Sequence, residues 1–278
     1  MRLSGRGRAA LLLAALLTAV SVCLPLWWVL VSSLRPGNTY VGYLAPLSWK
    51  ALVPVGGRLT NYTALLAGDF RVGLLNSLLV AFLTIVLGLA IAVPAAYALA
   101  TIDFPGRSLV FSFIVLVSMI PFDAIAIPLS SLFVGWHLGD SYAGLVLPAL
   151  ANGFAIFVLR QFFLGIPREL LEAAEVDGLG RVRTLWHIVL PLSRPSLIGA
   201  GMLLFLSQWQ AYLWPLLIGI SPERQLAPIA LANLSTLFTV DTGQILAGSF
   251  VLSVIPMVLL LIFQRQYTES LSTSGLKG

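Results

Sequence analysis

Long apolar runs separated by short polar stretches dominate this sequence. Six runs reach about 20 residues or more, the length that an α-helix needs to cross a hydrocarbon layer roughly 30 Å thick. The short segments of alternating apolar and polar residues that build a membrane β-barrel do not occur in the sequence. The pattern therefore predicts six transmembrane helices, at residues 9–34, 72–101, 108–127, 142–163, 195–220 and 244–263.

Composition supports this assignment. Of the 278 residues, 59% are hydrophobic and only 10% are charged, whereas a soluble domain carries about 25% charged residues. We therefore predict an all-α integral membrane protein with one transmembrane domain over residues 1–278. The first run lacks a small-x-small cleavage site, so we expect it to be retained as a span and not removed as a signal peptide.

The basic residues between the runs predict the orientation in the membrane. Eleven Lys and Arg residues fall on the side that holds both termini, and five fall on the other side. By the positive-inside rule, both termini and the loop at residues 165–194 are cytoplasmic in a multi-pass protein of the plasma or inner membrane. The basic residues form no stripe interleaved with aromatic residues, which argues against nucleic-acid binding.

An acidic insertion interrupts the apolar pattern between the fourth and fifth runs. Residues 172–178 read Glu-Ala-Ala-Glu-Val-Asp-Gly, three acidic residues and a glycine within seven positions. Pro167 suits the first turn of a helix, and Glu169 and Glu172 lie near its positive end. Gly178 is suited to end this helix in a left-handed conformation. The sequence predicts a short helix that projects into the cytoplasm.

A second short helix is predicted at Arg181–Leu190, where Pro191 would stop it, before Pro195 opens the fifth span. The resulting knob could enter a groove of a soluble partner through its small side chains. It could equally be an amphipathic helix that lies in the membrane interface without any partner. The residues alone leave both interpretations open.

Polar and aromatic residues also interrupt the fifth run. Gln208, Trp209, Gln210 and Tyr212 are our candidates for a substrate path, because sugars are commonly held by aromatic faces and amide donors. The alternative is hydrogen bonding between helices with ordinary aromatic packing. Asp123 is either a functional buried acid or, as we favour, an interfacial residue that caps a broken helix.

Two kinds of site are not expected. His137 and His187 have no His, Cys or acidic neighbours at metal-ligand spacing, so the sequence predicts no metal site. It also contains no Gly-x-x-x-x-Gly-Lys-Ser/Thr phosphate loop. We therefore expect this chain to be non-catalytic and to bind no cofactor itself.

The acidic insertion resembles the EAA loop of binding-protein-dependent ABC importer permeases, whose pattern is Glu-Ala-Ala, two residues, Asp-Gly, then Ile-x-Leu-Pro. The resemblance covers nearly the whole chain and is closest to the carbohydrate-uptake group typified by the second maltose permease subunit. The other matching motifs are Asn76-Ser77, Ala95-Ala96-Tyr97-Ala98, Phe104-Pro105-Gly106-Arg107, Gly139-Asp140-Ser141-Tyr142, Arg160-Gln161-Phe162-Phe163 and the final Gly275-Leu276-Lys277-Gly278.

The resemblance implies specific partners and residue roles. It implies a second homologous permease, two cytoplasmic ATPase subunits, an extracytoplasmic binding protein and a sugar substrate. The loop would be the coupling helix that is seated in a cleft of the ATPase. Its implied coupling residues are Glu169, Glu172, Ala173, Ala174, Asp177 and Gly178, and the tail Gly275, Leu276, Lys277 and Gly278 would also reach the ATPase.

Two positions depart from the family pattern. Leu179 stands where the family usually has Ala, which adds bulk beside the predicted glycine turn. Trp209-Gln210-Ala211 stands where related permeases read Trp-Asn-Asp or Trp-Asn-Glu, so an acid is missing from the candidate substrate path. We expect an importer permease, and the competing functions are an ion-gradient-driven secondary transporter and a non-transporting membrane scaffold.

Overall fold

The computed structural model describes residues 5–36, 48–235 and 240–275, most of which are helical. Apart from an isolated β-bridge between Ser235 and Val240, the residues described form helices, turns and irregular loops, which confirms the all-α prediction. In chain order the helices are α1 (Gly5–Ser33), α2 (Thr60–Ala67), α3 (Asp69–Thr101), α4 (Arg107–Ser118), α5 (Phe122–Gly135), α6 (Tyr142–Leu150), α7 (Gly153–Leu164), α8 (Arg168–Val176), α9 (Arg181–Leu192), α10 (Arg194–Trp209), α11 (Leu213–Ile218), α12 (Ala227–Ala232) and α13 (Thr242–Gly275).

Three continuous helices are long and apolar enough to cross a membrane. They lie at Leu11–Ser33, Asp69–Thr101 and Thr242–Gln266, where the first, second and sixth spans are predicted. Three further candidates are bent pairs of helices: α4 with α5 (92°), α6 with α7 (43°) and α9 with α10 (85°). The part of the chain that the structure describes therefore supplies up to six spans.

The predicted spans 108–127 and 195–220 are wrong as continuous helices. The first breaks after Ser118, because Pro121 lacks a backbone N–H and disfavours helical geometry at the residue before it. The second ends at Trp209, and a new short helix begins only at Leu213. The span 142–163 also breaks, at residues 151–152, where Asn152 starts the next helix by accepting the N–H of Ala155 at 3.0 Å.

The contacts within the chain define two compact units. The first comprises the described parts of Met1–Arg71 and Ala230–Ile255. In it Arg35 is only 1% exposed, and its guanidinium donates to the carbonyls of Lys50 and Val53. Asn61 donates to the carbonyls of Ser33 and Arg35, each at 2.7 Å. Arg35 therefore links segments of the loop from a buried position. The count of basic residues that predicted the orientation had treated it as an exposed charge.

The second unit comprises Val72–Ile229 and the described part of Pro256–Gly278. It contains two buried clusters. One cluster packs small side chains of α3 and α10 against larger ones of α7, with Ala96, Ala200, Leu159 and Phe163 among its members. Small residues allow helix backbones to approach closely where there is no hydrophobic drive between helices in lipid. The other cluster gathers around Trp214.

Candidate functional site

The predicted knob, residues 165–194, is called the Glu-Ala-Ala segment below. Its first helix, α8, follows Pro167 and carries Glu169 in its first turn, as predicted. Gly178 has a φ of +75°, which confirms the predicted left-handed end. The N–H of Leu179 bonds to Ala174 O at 2.9 Å and that of Gly178 to Glu175 O at 3.0 Å. This pair of bonds is the Schellman motif, which satisfies carbonyls that the helix end would leave unpaired.

The second half of the segment differs from the prediction. Pro191 does not stop the helix, because α9 continues through a π-helical turn at Leu185–Val189 and ends at Leu192. The wider turn leaves room for a proline, whose ring would otherwise clash with the preceding turn. The chain then bends by 85° into α10, and the buried hydroxyl of Ser193 donates to Val189 O at 2.6 Å.

The two faces of α8 differ in exposure. Ala174 is 2% exposed and therefore packs inside this chain, so it does not offer the surface that the resemblance assigned to it. Glu169, Glu172, Ala173 and Asp177 are exposed. So are three apolar side chains that the sequence reasoning passed over: Val176 (88%), Val182 (70%) and Trp186 (64%). Val176 and Val182 flank Gly178 in the sequence, which was the available signal for these two.

A polar cleft of about 360 Å³ lies behind the Glu-Ala-Ala segment. Tyr97 and Thr101 of α3 line it together with Glu172 and Arg181. Next to it, the motif Phe104–Arg107 forms a turn, with Gly106 at a φ of +82° and the N–H of Arg107 donating to Phe104 O at 3.3 Å. Arg107 pairs with Asp103 at 2.8 Å. The segment is thus attached near the C-terminal end of α3.

Near the other end of α3, hydrogen bonds hold a loop that follows α11; we call them the Asn76 network. Asn76 Nδ2 donates to the carbonyls of Glu223 and Gln225 at 2.9 Å each, and its Oδ1 accepts the hydroxyl of Tyr142 at 2.7 Å. Ser77 Oγ accepts the N–H of Ala227 at 2.9 Å. The motif residues Asn76, Ser77 and Tyr142 therefore position a loop.

Asp140 belongs to the same network. Its carboxylate accepts the N–H of Ser221 at 2.9 Å, and its own N–H donates to Ile218 O at 2.8 Å. The hydrogen bond from Ser221 lowers the pKa of the Asp140 carboxyl, and the charge of Arg224 acts in the same direction. Helical rise separates Asn76 from Tyr97 by about 32 Å. The network and the Glu-Ala-Ala segment therefore lie at opposite ends of α3.

The four candidate substrate-path residues are not brought together. Gln208 is 6% exposed and lines a cavity of about 440 Å³ beside the helix breaks. Trp209 is buried and stacks on Phe205, with 5.3 Å between ring centroids. Gln210 and Tyr212 are exposed and do not line this cavity. The helix ends between Gln208 and Tyr212, so the helical spacing that would have grouped them is lost.

The remaining predicted residues are placed as follows. Asp123 is exposed in the first turn of α5, directly after the 92° break, which agrees with the favoured interpretation of a cap on a broken helix. A carboxylate at this position is stabilised by the positive end of the helix. Gly275 is the last residue of α13, while Leu276, Lys277 and Gly278 lie outside the described residues.

Comparison with known proteins identifies the family. Residues 84–268, more than half of the chain, match the family described as "Binding-protein-dependent transport system inner membrane component". The chain belongs to this family. The match includes the Glu-Ala-Ala segment and the loop held by the Asn76 network, so the permease carries both features within its family region.

The permease resembles several curated relatives. It is 32% identical over 276 residues to the arabinooligosaccharides transport system permease protein AraQ of Bacillus subtilis, with 98% of this chain and 96% of the relative covered. It is 32% identical over 260 residues to the trehalose transport system permease protein SugB of Mycobacterium tuberculosis, with 92% of each covered. It is 36% identical over 207 residues to the sn-glycerol-3-phosphate transport system permease protein UgpE of Yersinia pestis, with 74% of each covered.

A solved structure has the same fold. A chain of a bacterial ABC transporter involved in the import of the acidic polysaccharide alginate superimposes with a TM-score of 0.76 at 23% identity, covering 96% of the permease and 99% of that chain. The permease is therefore a multi-pass inner-membrane subunit of an ABC importer. Family membership contradicts the ion-gradient-driven alternative.

Proposed function

We propose that the Glu-Ala-Ala segment receives mechanical work from cytoplasmic ATPase subunits and passes it to the membrane helices. The observation that carries this proposal is the exposed face of α8, where Ala173 and Val176 are exposed beside the Gly178 cap, with Glu172 exposed at the polar cleft. Two ATPase subunits bind ATP and Mg²⁺ and hydrolyse the nucleotide. This chain contributes contacts and no catalytic residue.

The exposed side chains favour a protein partner over the membrane interface. Fully burying a valine side chain stabilises a complex by about 1.5–3 kcal/mol. Burial of the exposed Val176 in a partner would therefore favour docking. Helices that lie in the interface usually present Lys and Arg to anionic headgroups. By contrast, α8 carries three glutamates and one arginine. Its charge suits a basic cleft of a soluble subunit.

Movement of α8 reaches the cavity through a short, stiff path. The Schellman bonds fix the turn that follows α8, which leads directly into α9, and α9 leads through the buried Ser193 into α10. Ala200 and Leu204 of α10 pack in the buried cluster with Leu159 of α7. When the ATPase dimer closes, α8 moves with it, and α10 tilts as one body because its packed side chains permit no local adjustment. Alternating inward and outward access follows.

The opposite end faces the extracytoplasmic binding protein in this proposal. Residues 218–227, held by the Asn76 network, form part of the docking surface. Both chain termini are then cytoplasmic, and the tail 275–278 provides a second contact with the ATPase. A second, homologous permease completes the transport path. Asn76 and Tyr97 are separated by about 32 Å along α3. This distance matches the thickness of a hydrocarbon core and supports the arrangement.

The proposed substrate is a carbohydrate or a related sugar derivative. Relatives named for arabinooligosaccharide and trehalose transport align with almost the whole chain, which supports this class. The binding protein selects the substrate and delivers it to the two permeases, which provide the route across the membrane.

The decisive experiment compares two glycines of one loop. Valine at position 178 would be forced into a left-handed backbone, at a cost of about 1–2 kcal/mol. Gly180 has an ordinary φ of −70° and open space around its Cα, so Gly180→Val is the matched control. We expect Gly178→Val to abolish ATPase stimulation by the loaded binding protein in the assembled complex. Gly178→Asn should retain most of it, because Asn tolerates this conformation.

ATP hydrolysis is measured in proteoliposomes that contain both permeases and the ATPase dimer, with and without loaded binding protein. Full stimulation in Gly178→Val would disprove the coupling role of the segment. Loss of stimulation in Gly180→Val alone would also contradict it, since that change leaves the helix cap intact.

A further inference from the structure

Three interruptions between helices border the cavity of about 440 Å³ in the second unit: between α4 and α5, between α6 and α7, and between α10 and α11. One polar residue from each break lines it: Ser118, Asn152 and Gln208. Irregular backbone within apolar spans is tolerated where it is buried in protein or lines a water-filled cavity. The cavity is within the size range of small-molecule sites.

Gln208 has unused hydrogen-bonding capacity at this cavity. Its side chain is 6% exposed, and its Oε1 meets the Thr84 hydroxyl at a long 3.5 Å. Among the described residues, no acceptor lies within hydrogen-bonding distance of Gln208 Nε2. A buried donor without a partner is costly, so an acceptor oxygen on a ligand would be bound favourably. Ser118 donates to Ile114 O and keeps lone pairs that can accept from a ligand hydroxyl.

Trp214 forms a fixed aromatic wall of the same cavity. Its indole Nε1 donates to Gly144 O at 3.0 Å, which sets the orientation of the ring. Phe122 and Phe133 form T-shaped contacts with it, at 5.5 and 5.2 Å between centroids. The wall is thus held in place before any ligand arrives. Aromatic faces of this kind pack against the C–H faces of a sugar ring.

The cavity is electrically neutral. Among the described residues, none of the side chains that line it is charged. Ala211 is one of these lining residues, at the position where related permeases carry an acid. A phosphate or uronate would lose its hydration here without a cation to compensate its charge, which costs binding free energy. Neutral hydroxyls can instead be matched by an amide, a serine and an aromatic ring.

We propose that this chain itself contains a subsite for a neutral carbohydrate, with Gln208 as a hydrogen-bond donor and Trp214 as the aromatic wall. The proposal rests on the carbohydrate importer function and names the chemical class that this chain accepts. Sugar phosphates and polyuronates are disfavoured, although UgpE is named for glycerol-3-phosphate transport and the structural neighbour imports alginate.

The test is protection of an introduced thiol in the intact complex, with both permeases and the ATPase dimer. Cys23 is replaced by serine to remove the exposed native thiol, and Ser207 at the cavity wall is replaced by cysteine. Reaction with a small thiosulfonate is timed with arabinotriose, trehalose or sn-glycerol 3-phosphate as probes. The neutral sugars should slow labelling about tenfold more effectively than the anion, because only the anion would lose the hydration of its charge without a cation in compensation.

A control cysteine at Ser131, which is exposed on α5 and does not line the cavity, should be labelled at the same rate with every probe. Gln208→Leu should remove most of the protection, and so should Gln208→Met. The unprotected labelling rate reports whether each variant keeps its fold. Gln161→Leu, a half-buried glutamine outside the cavity, should retain full protection.

Absence of protection by either sugar would overturn the proposal, as would equal protection by glycerol 3-phosphate. Insensitivity to all probes together with a phospholipid that co-purifies with the complex would assign the cavity to lipid instead. Labelling needs no ATP hydrolysis, so this result is independent of whether the Glu-Ala-Ala segment couples to the ATPase.

Discussion

The Asn76 network and the Glu-Ala-Ala segment are held in opposite ways. In the network, side chains of Asn76, Ser77 and Asp140 bind backbone groups of the loop at 221–227. In the segment, backbone bonds alone close α8, and the side chains of Glu172 and Val176 stand in solvent. The Asn76 network uses its polar side chains for bonds within the chain, while the Glu-Ala-Ala segment leaves its polar side chains available for contacts with a partner.

This difference indicates how work crosses the protein. A loop that is cross-linked by side chains keeps its shape when a partner presses on it. A helix that is capped by its own backbone is equally stiff, yet it leaves its whole outer surface for docking. The two ends can therefore be separated experimentally, since side-chain substitutions should destabilise the network but not the Glu-Ala-Ala segment.

The largest effect is expected from Asn76→Ala. The change removes the Asn76 donor from the carbonyls of Glu223 and Gln225, which should lower the free energy of unfolding by about 1–3 kcal/mol. Thermal unfolding of the purified complex measures it, and hydrogen exchange of residues 218–227 should accelerate. Ser130→Ala is the control, because that exposed hydroxyl bonds only to Ile127 O within its own helix. Equal stability of both variants would refute the network.

A smaller effect, confined to assembly, is expected from Val176→Asp. The side chain is 88% exposed, so the melting temperature of this permease should hardly change. Retention of the ATPase during purification should weaken about tenfold or more, because a docked valine is replaced by a charge. Val240→Asp, at another exposed valine between the predicted fifth and sixth spans, should leave retention unchanged. Unchanged retention in Val176→Asp would remove Val176 from the docking surface.

The smallest effect is expected from pH. Because the folded-state pKa of Asp140 is lowered from 3.8, its bond to Ser221 stabilises the loop above that value. The stabilisation is lost as pH falls through the lower folded-state pKa. Melting curves between about pH 6 and pH 3 should show the wild type losing its advantage over Asp140→Asn at the acidic end. A constant difference across that range would contradict the role of the carboxylate.

Local chemistry made the Glu-Ala-Ala segment predictable. The left-handed backbone at Gly178, the start of α8 after Pro167 and the acid in its first turn all depend on a few consecutive residues. Pro191 misled the same reasoning, because a π-helical turn at Leu185–Val189 accommodates it. That turn depends on packing around Leu185 and Val189, which both lie in the buried cluster.

By itself, the sequence determined the apolar segments, the helical class, the glycine turn and the family, since chain length, hydrophobicity and motif spacing are properties of neighbouring residues. Tertiary structure alone decided that Ala174 and Arg35 are buried, that Val176 is exposed, and that Gln208 reaches a cavity while Gln210 does not. These outcomes depend on which helices pack together and where each helix breaks. Contacts between residues far apart in the chain determine the packing and the positions of the breaks, and no local sequence pattern encodes such contacts.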